Sequence, residues 1–139
     1  MNNKIVYLSM NADILHYGHI NILKIASKYG KVILGLMTNS AIKTYKKTPI
    51  IFNYNERKII VENIKFVHTV VPQKSLSYRS NLIKYKPDFV VHGDDWKRGV
   101  QQKTRLEVIN TLAEWGGKLI EPKYTKKISS SLIKTKLKY

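Results

Sequence analysis

The chain has 139 residues, of which 43% are hydrophobic, and its 25 Lys and Arg against 9 Asp and Glu give a formal charge of +16. This length predicts one domain, residues 1–139, that can bury a continuous core. The absence of cysteine excludes a disulfide framework, a thiolate nucleophile and a thiolate metal site. No signal peptide or transmembrane pattern is visible, so we expect a cytoplasmic protein with no membrane partner.

Short apolar runs rich in β-branched residues alternate with amphipathic segments along the chain. The runs predict five strands, at Lys4–Leu8, Val32–Met37, Val67–Val71, Phe89–His92 and Lys118–Glu121. The segments between and after them predict helices at His19–Tyr29, Asn55–Asn63, Leu76–Tyr85, Thr104–Trp115 and Ser129–Leu137. The stretch Lys43–Asn53 lacks periodicity and is predicted to be a loop or flap.

This alternation indicates the fold class. Strands separated by helices are typical of an α/β, Rossmann-like domain with a five-stranded parallel sheet flanked by helices. In such a fold, ligands bind at the carboxyl ends of the strands, near the point where the strand order reverses.

The most informative motif, His16-Tyr17-Gly18-His19, lies between the first predicted strand and the first predicted helix. The first N–H groups of a helix have no intrahelical partner and attract anions. Imidazoles three residues apart there can donate to phosphate oxygens and stabilise charge during phosphoryl transfer. A zinc site would need further ligands, and with His68 or His92 no ligand set stands out.

A second candidate segment, His92-Gly93-Asp94-Asp95-Trp96, follows the fourth predicted strand. Gly93 permits close approach of the backbone to a ligand. The carboxylates could orient a ribose, hold magnesium or cap the next element, and Trp96 could pack beside a base. The alternative is a turn with an aspartate cap.

Two further segments offer phosphate contacts. Ile128-Ser129-Ser130-Ser131 precedes the last predicted helix and follows two lysines, so its hydroxyl and N–H groups favour a phosphate site over simple capping. Arg57, at the start of the second predicted helix, could reach a phosphate or a carboxylate across an interface.

The scattered lysines argue against an extended polyanion surface. Only four of the basic residues are arginine, the residue that usually contacts phosphates and bases bidentately. We therefore expect no nucleic-acid partner, although a basic nucleic-acid- or nucleotide-binding domain without catalysis is the non-enzyme alternative.

Taken in this order, the motifs resemble the nucleotidyltransferase superfamily that carries an HxGH motif and a late ISSTxI-type motif. The resemblance is strongest to the glycerol-3-phosphate cytidylyltransferase group. It rests on Asp13–His19, Tyr54 with Arg57-Lys58, Gly93–Trp96 and Ile128–Lys134. The stretch Lys86–Lys97, continued by Gly99–Gln101 and Glu114–Gly117, also resembles the cytidylyltransferase domain joined to phosphoenolpyruvate mutase in phosphonate biosynthesis.

The resemblance implies transfer of CMP from CTP to a small phosphate or phosphonate acceptor, similar to 2-aminoethylphosphonate or glycerol-3-phosphate, with release of pyrophosphate. Magnesium would accompany CTP, and its protein ligands are not predicted. The implied catalytic residues are His16, His19, Lys46 and Ser130. The implied nucleotide-binding residues are Met10, Asn11, Ala12, Gly18, Lys47, Arg57, His92, Gly93, Asp94, Trp96, Ile128, Ser129 and Ser131. Either Lys46 or Lys47 would bridge the triphosphate and the acceptor.

The chain also departs from the family pattern. Met10-Asn11-Ala12 replaces the usual Gly-Thr-Phe, and we expect acceptor choice to be decided there. Before the late motif, Tyr124 and Lys127 replace the usual arginine and glycine. The resemblance further implies a homodimer with contacts at Arg57 and Ile64–Val71. The alternatives are an adenylyltransferase of the same fold and a regulatory module that binds CTP without turnover.

Overall fold

The five predicted strands form one parallel sheet in a computed structural model that describes residues 3–97, 99–123 and 128–137. The strands are β1 (Ile5–Met10), β2 (Lys31–Met37), β3 (Thr69–Gln73), β4 (Phe89–Val91) and β5 (Lys118–Ile120). Their order across the sheet is β3-β2-β1-β4-β5, and every neighbouring pair is parallel. The chain therefore reverses its direction of travel across the sheet between β1 and β4, which is where the fold favours a ligand.

Helices flank this sheet, as predicted. They are α1 (Tyr17–Ser27), α2 (Asn39–Lys43), α3 (Tyr54–Glu62), α4 (Arg79–Tyr85), α5 (Gln102–Ala113) and α6 (Ser130–Lys136). Short 3₁₀ turns cover Asp94–Lys97 and Gly99–Gln101. None of the helices in the described ranges is long and apolar enough to cross a membrane.

Several predicted bounds are shifted by up to three residues, as where α4 begins at Arg79 rather than at Leu76, and one helix was not predicted. The third strand starts at Thr69, because Val67 closes a turn onto Ile64, and it continues through Pro72 to Gln73. Proline is tolerated there because β3 is an edge strand, whose outer side needs no N–H donor. The sequence analysis also missed α2, a single turn capped by the Thr38 hydroxyl, which accepts from the N–H of Ala41.

The sheet is buried on both faces. Along β1, Val6 and Leu8 belong to the core under α1, whereas Tyr7 belongs to the core under α4 and α5. Successive strand residues point to opposite faces of the sheet. The same alternation therefore tells on which of the two faces each residue at the carboxyl end of a strand lies. Ser9 follows Tyr7 on the α4/α5 side.

Candidate active site

A cleft of about 320 Å³ opens at the carboxyl edge of the sheet. It is lined by residues at the ends of β1, β2, β3 and β4 and by the starts of α1 and α6. Most of the predicted site residues meet here, namely Met10, Asn11, Ala12, His16, Gly18, His19, Lys46, His92, Gly93, Ser129, Ser130 and Ser131. The sheet edge thus brings together segments that are more than 100 residues apart in the chain.

The two histidines of the first motif cap α1 and each other. His16 is the N-cap residue, and its Nδ1 accepts from the N–H of Gly18 at 3.1 Å. The N–H of His16 in turn donates to Nδ1 of His19 at 3.1 Å, and the ring centroids are 4.1 Å apart. Because both Nδ1 atoms accept, the proton of each neutral ring is on Nε2, where it can be donated to a ligand.

The surroundings keep this pair neutral. Burial lowers the pKa of His16. Burial, followed by repulsion from His16 and Lys46, lowers the pKa of His19 to about 4. Both imidazoles are therefore uncharged donors near pH 7 until an anion enters the cleft and raises their pKa values.

Gly18 is required by the packing of this capping structure. A Cβ at this position would lie 2.8 Å from Cε1 of His16, which is closer than real Cβ atoms approach. The same Cβ would be 3.5 Å from Cγ2 of Ile128. Ile128 therefore packs beside Gly18 and is not among the residues that line the cleft. That it binds nucleotide stays a prediction.

The serine segment presents hydroxyls that differ in their partners. Ser129 caps α6 by accepting from the N–H of Leu132 at 2.9 Å, so its own proton can be donated to a ligand. Ser130 instead donates its hydroxyl proton to the carbonyl oxygen of Ile14 at 2.6 Å. Ser130 thus ties α6 to the loop before His16. Tyr124 and Lys127 lie outside the described residues.

The sequence analysis missed the role of a buried ion pair below the histidines. Asp13 and Lys134 are each only 5% exposed, and Lys134 Nζ donates to Oδ2 of Asp13. Asp13 also accepts from the N–H groups of Ile51 and Phe52. Burial alone would raise the pKa of Asp13, but these donors and Lys134 outweigh it and hold the pKa below its usual value. The signal available in the sequence was the position of the two residues within the first and last motifs.

The structure distinguishes between the two candidate lysines. Lys46 lines the cleft, whereas Lys47 is exposed and is not among the residues that line it. Burial lowers the pKa of Lys46, and repulsion from Lys134 adds to the effect. The segment between α2 and α3 is a loop, as predicted. Tyr45 in this loop is hydrogen-bonded to Asn11, which joins it to the end of β1.

Three other residues predicted to bind nucleotide do not line the cleft in this structure. Arg57 is fully buried, and its guanidinium donates to main-chain oxygens of Asn11 and Met37 at 2.7 Å, so it reaches neither a phosphate nor an interface. Trp96 is 1% exposed and lies behind His92, whose ring stacks on it at 3.6 Å. Asp94 is not among the lining residues; Asp95 is. The 3₁₀ turn that follows β4 turns Trp96 inward and Asp95 outward.

No group of three or more His, Cys, Asp or Glu that could hold a metal ion occurs among the described residues. Magnesium usually keeps several waters and is held by one or two carboxylates together with substrate phosphates. In this cleft, the carboxylate of Asp13 is already paired with Lys134 and accepts hydrogen bonds from two main-chain N–H groups. The described residues therefore do not form a dedicated cation cage.

The model of the cytidylyltransferase-like family matches residues 11–136, almost the whole chain. The chain belongs to this family. Its members are nucleotidyltransferases, and this chain is placed among them.

Relatives agree with that membership, and a solved structure has a similar fold. The glycerol-3-phosphate cytidylyltransferase of Bacillus subtilis (strain 168) is 31% identical over 86 residues, 61% of this chain and 67% of the relative. The ethanolamine-phosphate cytidylyltransferase of Mus musculus is 33% identical over 121 residues, 86% of this chain but 29% of the relative. A lipopolysaccharide core biosynthesis protein from Thermoplasma volcanium GSS1 has a similar fold, with a TM-score of 0.72 over 88% of this chain and 98% of its own, at 24% identity.

In this cytidylyltransferase-like chain, Arg57 is buried and so is not available for the predicted dimer contact. Most apolar residues of the other predicted contact, Ile64–Val71, pack against the core under α1, which leaves few of them for a partner. They are Ile64, Phe66, Val67 and Val70. The homodimer stays a prediction.

Proposed function

We propose that this chain is a CTP-dependent cytidylyltransferase that transfers CMP to a small phosphate or phosphonate acceptor and releases pyrophosphate. The observation that carries the proposal is the pair of Nε2–H donors of His16 and His19, which lines one cleft with Lys46 and Ser129. A polyanion is the ligand that such a set of donors and one cation would bind.

The reaction needs no covalent enzyme intermediate. An oxygen of the acceptor phosphate or phosphonate attacks the α-phosphorus of CTP, and the bond from that phosphorus to the bridging oxygen of the pyrophosphate breaks. The attacking oxygen is already deprotonated near pH 7, so no general base is required. Protein groups contribute by holding the reactants in line and by stabilising the charge that develops around phosphorus.

Each group at the cleft has a role in this scheme. His16 and His19 donate from Nε2 to oxygens around the α-phosphorus, and the incoming charge is stabilised because the two rings are already oriented by backbone N–H groups. Lys46 balances charge between the triphosphate and the acceptor, as its position beside His19 allows. Ser129 donates to the leaving phosphates. Magnesium, bound mainly by the triphosphate itself, would supply further charge neutralisation.

The choice of nucleotide and acceptor rests on the relatives. Two of them are named glycerol-3-phosphate cytidylyltransferase and ethanolamine-phosphate cytidylyltransferase. These names describe cytidylyl transfer to two different phosphate acceptors. A FAD synthase from Thermoplasma volcanium, 31% identical over 86 residues, keeps adenylyl transfer as the second candidate. CTP is favoured because several of the relatives are cytidylyltransferases, for glycerol-3-phosphate or for ethanolamine-phosphate.

The test is pyrophosphate release from CTP, ATP, GTP and UTP with magnesium. The acceptors are glycerol-3-phosphate, phosphoethanolamine and 2-aminoethylphosphonate, and the His16→Ala variant controls for contaminating activity. We expect release from CTP with at least one acceptor and none from CTP alone. Release from ATP in place of CTP would identify an adenylyltransferase. Tight CTP binding in calorimetry without release for any acceptor would identify a nucleotide-binding module.

A further inference from the structure

The loop that carries Lys46 is attached to the end of β1 by one pair of side chains. The side-chain amide of Asn11 donates to the phenol oxygen of Tyr45 at 2.7 Å, and the Tyr45 hydroxyl donates to Oδ1 of Asn11 at 3.0 Å. The phenol therefore faces both polar atoms of the carboxamide. Both residues line the cleft, and Tyr45 directly precedes Lys46 in the chain.

Asn11 is itself held in place from behind the edge of the sheet. The fully buried guanidinium of Arg57 donates to the carbonyl oxygens of Asn11 and Met37, at 2.7 Å each. Met37 is the last residue of β2. The main chain of Asn11 is thus tied to the neighbouring strand, while its side chain is bound to the loop. Because protein interiors are closely packed, such an anchor has little freedom to move.

Tyr45 is fixed at both its main chain and its side chain. The N–H groups of Tyr45 and Lys46 donate to the carbonyl oxygen of Ile42 at 3.2 and 2.9 Å, which continues the last turn of α2. Tyr45 also packs against a small buried cluster, which consists of Met37, Ala41 and Ile42. With its hydroxyl on Asn11 as well, Tyr45 determines the direction in which Lys46 leaves the helix.

The loop has a second, different attachment on the other side of Lys46. Three residues after Lys46, the carbonyl oxygen of Pro49 accepts from Lys134, which belongs to the buried ion pair with Asp13. Lys46 therefore lies between a neutral attachment at Tyr45 and a charged attachment at Pro49. A substitution at the neutral attachment can move Lys46 while the ion pair stays intact.

The position of Lys46 matters because its ammonium lies close to the histidine pair. Repulsion from Lys46 contributes to the lowered pKa of His19, after burial and His16. A lysine ammonium is a compact charge on a flexible stem, so its effect on a ligand depends on where the stem begins. Misplacement of a catalytic group by about 1 Å can lower a rate substantially.

We infer that Asn11 and Tyr45 act together as positioning residues for Lys46. The inference rests on the proposed function, in which Lys46 balances charge between the triphosphate and the acceptor. It also gives a role to the departure from the family pattern at Met10-Asn11-Ala12, since the Asn11 side chain binds the loop. Neither Asn11 nor Tyr45 is assigned a contact with the reacting atoms.

The first test asks whether the effect of Tyr45 depends on Lys46. Tyr45→Phe removes only the hydroxyl, and we expect kcat/KM for CTP to fall about 5- to 10-fold, and no further than in Lys46→Met. Added to Lys46→Met, the same substitution should change kcat/KM less than about 2-fold, because no ammonium is left to position. Tyr85→Phe is the matched control, since it removes a phenol hydroxyl from α4 that does not line the cleft.

The second test asks whether Asn11 acts through Tyr45. If the two form one unit, Asn11→Ala with Tyr45→Phe should be no less active than the less active single variant. If Asn11 instead contacts the nucleotide directly, the two losses multiply. A cooperative urea transition checks that each variant is folded. Should Tyr45→Phe fail to fold, Asn11→Ala with and without Lys46→Met makes the same comparison.

Three results would overturn the inference while leaving cytidylyl transfer in place. They are normal activity of Tyr45→Phe, an equal loss with and without Lys46, and losses that multiply in the double variant. If no acceptor is turned over with CTP, the proposed function fails instead. Calorimetric titration with inorganic triphosphate then still tests the pair. Tyr45→Phe should weaken binding about 3-fold or more with Lys46 present and have no effect in Lys46→Met. Unchanged affinity, or an equal loss in both backgrounds, would overturn the inference.

Discussion

Lys134 Nζ donates both to the carboxylate of Asp13 and to the carbonyl oxygen of Pro49, the latter at 2.7 Å. The ammonium therefore joins three segments that the sequence separates: the loop before the histidine motif, the loop that carries Lys46, and α6. Because Asp13 also accepts from Ile51 and Phe52, the loop after Lys46 is held against the start of the site from two directions.

Removing one partner of this pair leaves the other buried and uncompensated. We expect Lys134→Met to lower the free energy of unfolding by about 3–5 kcal/mol, measured by urea denaturation at pH 7. Lys136→Met, on an exposed position of the same helix, should change it little. The double variant Asp13→Asn, Lys134→Met should be more stable than Lys134→Met alone, since it no longer contains an unpaired carboxylate. Equal losses in the two single lysine variants would contradict the structural role of the pair.

His16 caps α1, and the proposed mechanism also gives it a catalytic role; substitution can separate the two. His16→Ala should lower kcat about 10²- to 10³-fold through loss of one donor to the transition state. It should also lower stability by about 1 kcal/mol through loss of the helix cap. His16→Asn should retain the cap, because asparagine is a favoured N-cap residue, but not the activity. Turnover in steady-state assays and thermal unfolding measure the two effects. Near-normal turnover in either variant would remove the His16 imidazole from the mechanism.

The lowered pKa of His19 predicts a pH dependence of stability. The pKa is about 4 in the folded protein and about 6.5 in the unfolded chain, so the unfolded chain binds more protons between these values. Stability should therefore fall as the pH is lowered from about 6.5 to 4, by about 2–3 kcal/mol from this group. His19→Gln should flatten that part of the profile in urea titrations at several pH values. An unchanged slope would show that other groups cause the acid sensitivity.

Arg57 and Arg79 provide a matched pair of arginines, one buried and one exposed. The Arg57 guanidinium donates to Phe52 at 3.0 Å as well as to Asn11 and Met37, so Arg57→Met leaves several buried carbonyl oxygens without donors. We expect a loss of about 2–4 kcal/mol in the free energy of unfolding. Arg79→Met removes an ion pair between Arg79 and Glu114, whose side chains are 52% and 48% exposed. It should therefore change the free energy of unfolding little. A small effect of Arg57→Met would contradict its structural role.

The two neighbouring lysines should behave differently in catalysis. Lys46→Met is expected to lower kcat/KM about 10-fold or more, because the charge that it removes lies in the cleft beside His19. Lys47→Met, which removes the same charge from an exposed side chain, should leave it within about 2-fold, since screened charges contribute little. Kinetics at constant ionic strength distinguish the two. Equal effects would indicate a general electrostatic contribution of the loop.

Periodicity and motif order were sufficient to predict the sheet, the helices other than α2 and the meeting of the histidine and serine segments. They failed where a side chain's direction depended on the local turn. The 3₁₀ turn after β4 exchanged the expected roles of neighbouring residues, placing Asp95 at the cleft and Trp96 behind His92. Arg57, at the start of a predicted helix, was expected to reach a phosphate or a carboxylate across an interface, but tertiary contacts supplied main-chain acceptors instead.

By itself, the sequence determined the order of strands and helices along the chain, and it predicted anion binding at the first motif. These depend on hydrophobic period, on capping residues and on which residue types can donate to phosphate, all of which are local properties. Only the tertiary structure decided which face of the sheet each polar side chain occupies, and hence that Asp95 lines the cleft whereas Trp96 is buried. These directions follow from the pleat of the strands and from the turn after β4, because a shift of one residue moves a side chain to the opposite face.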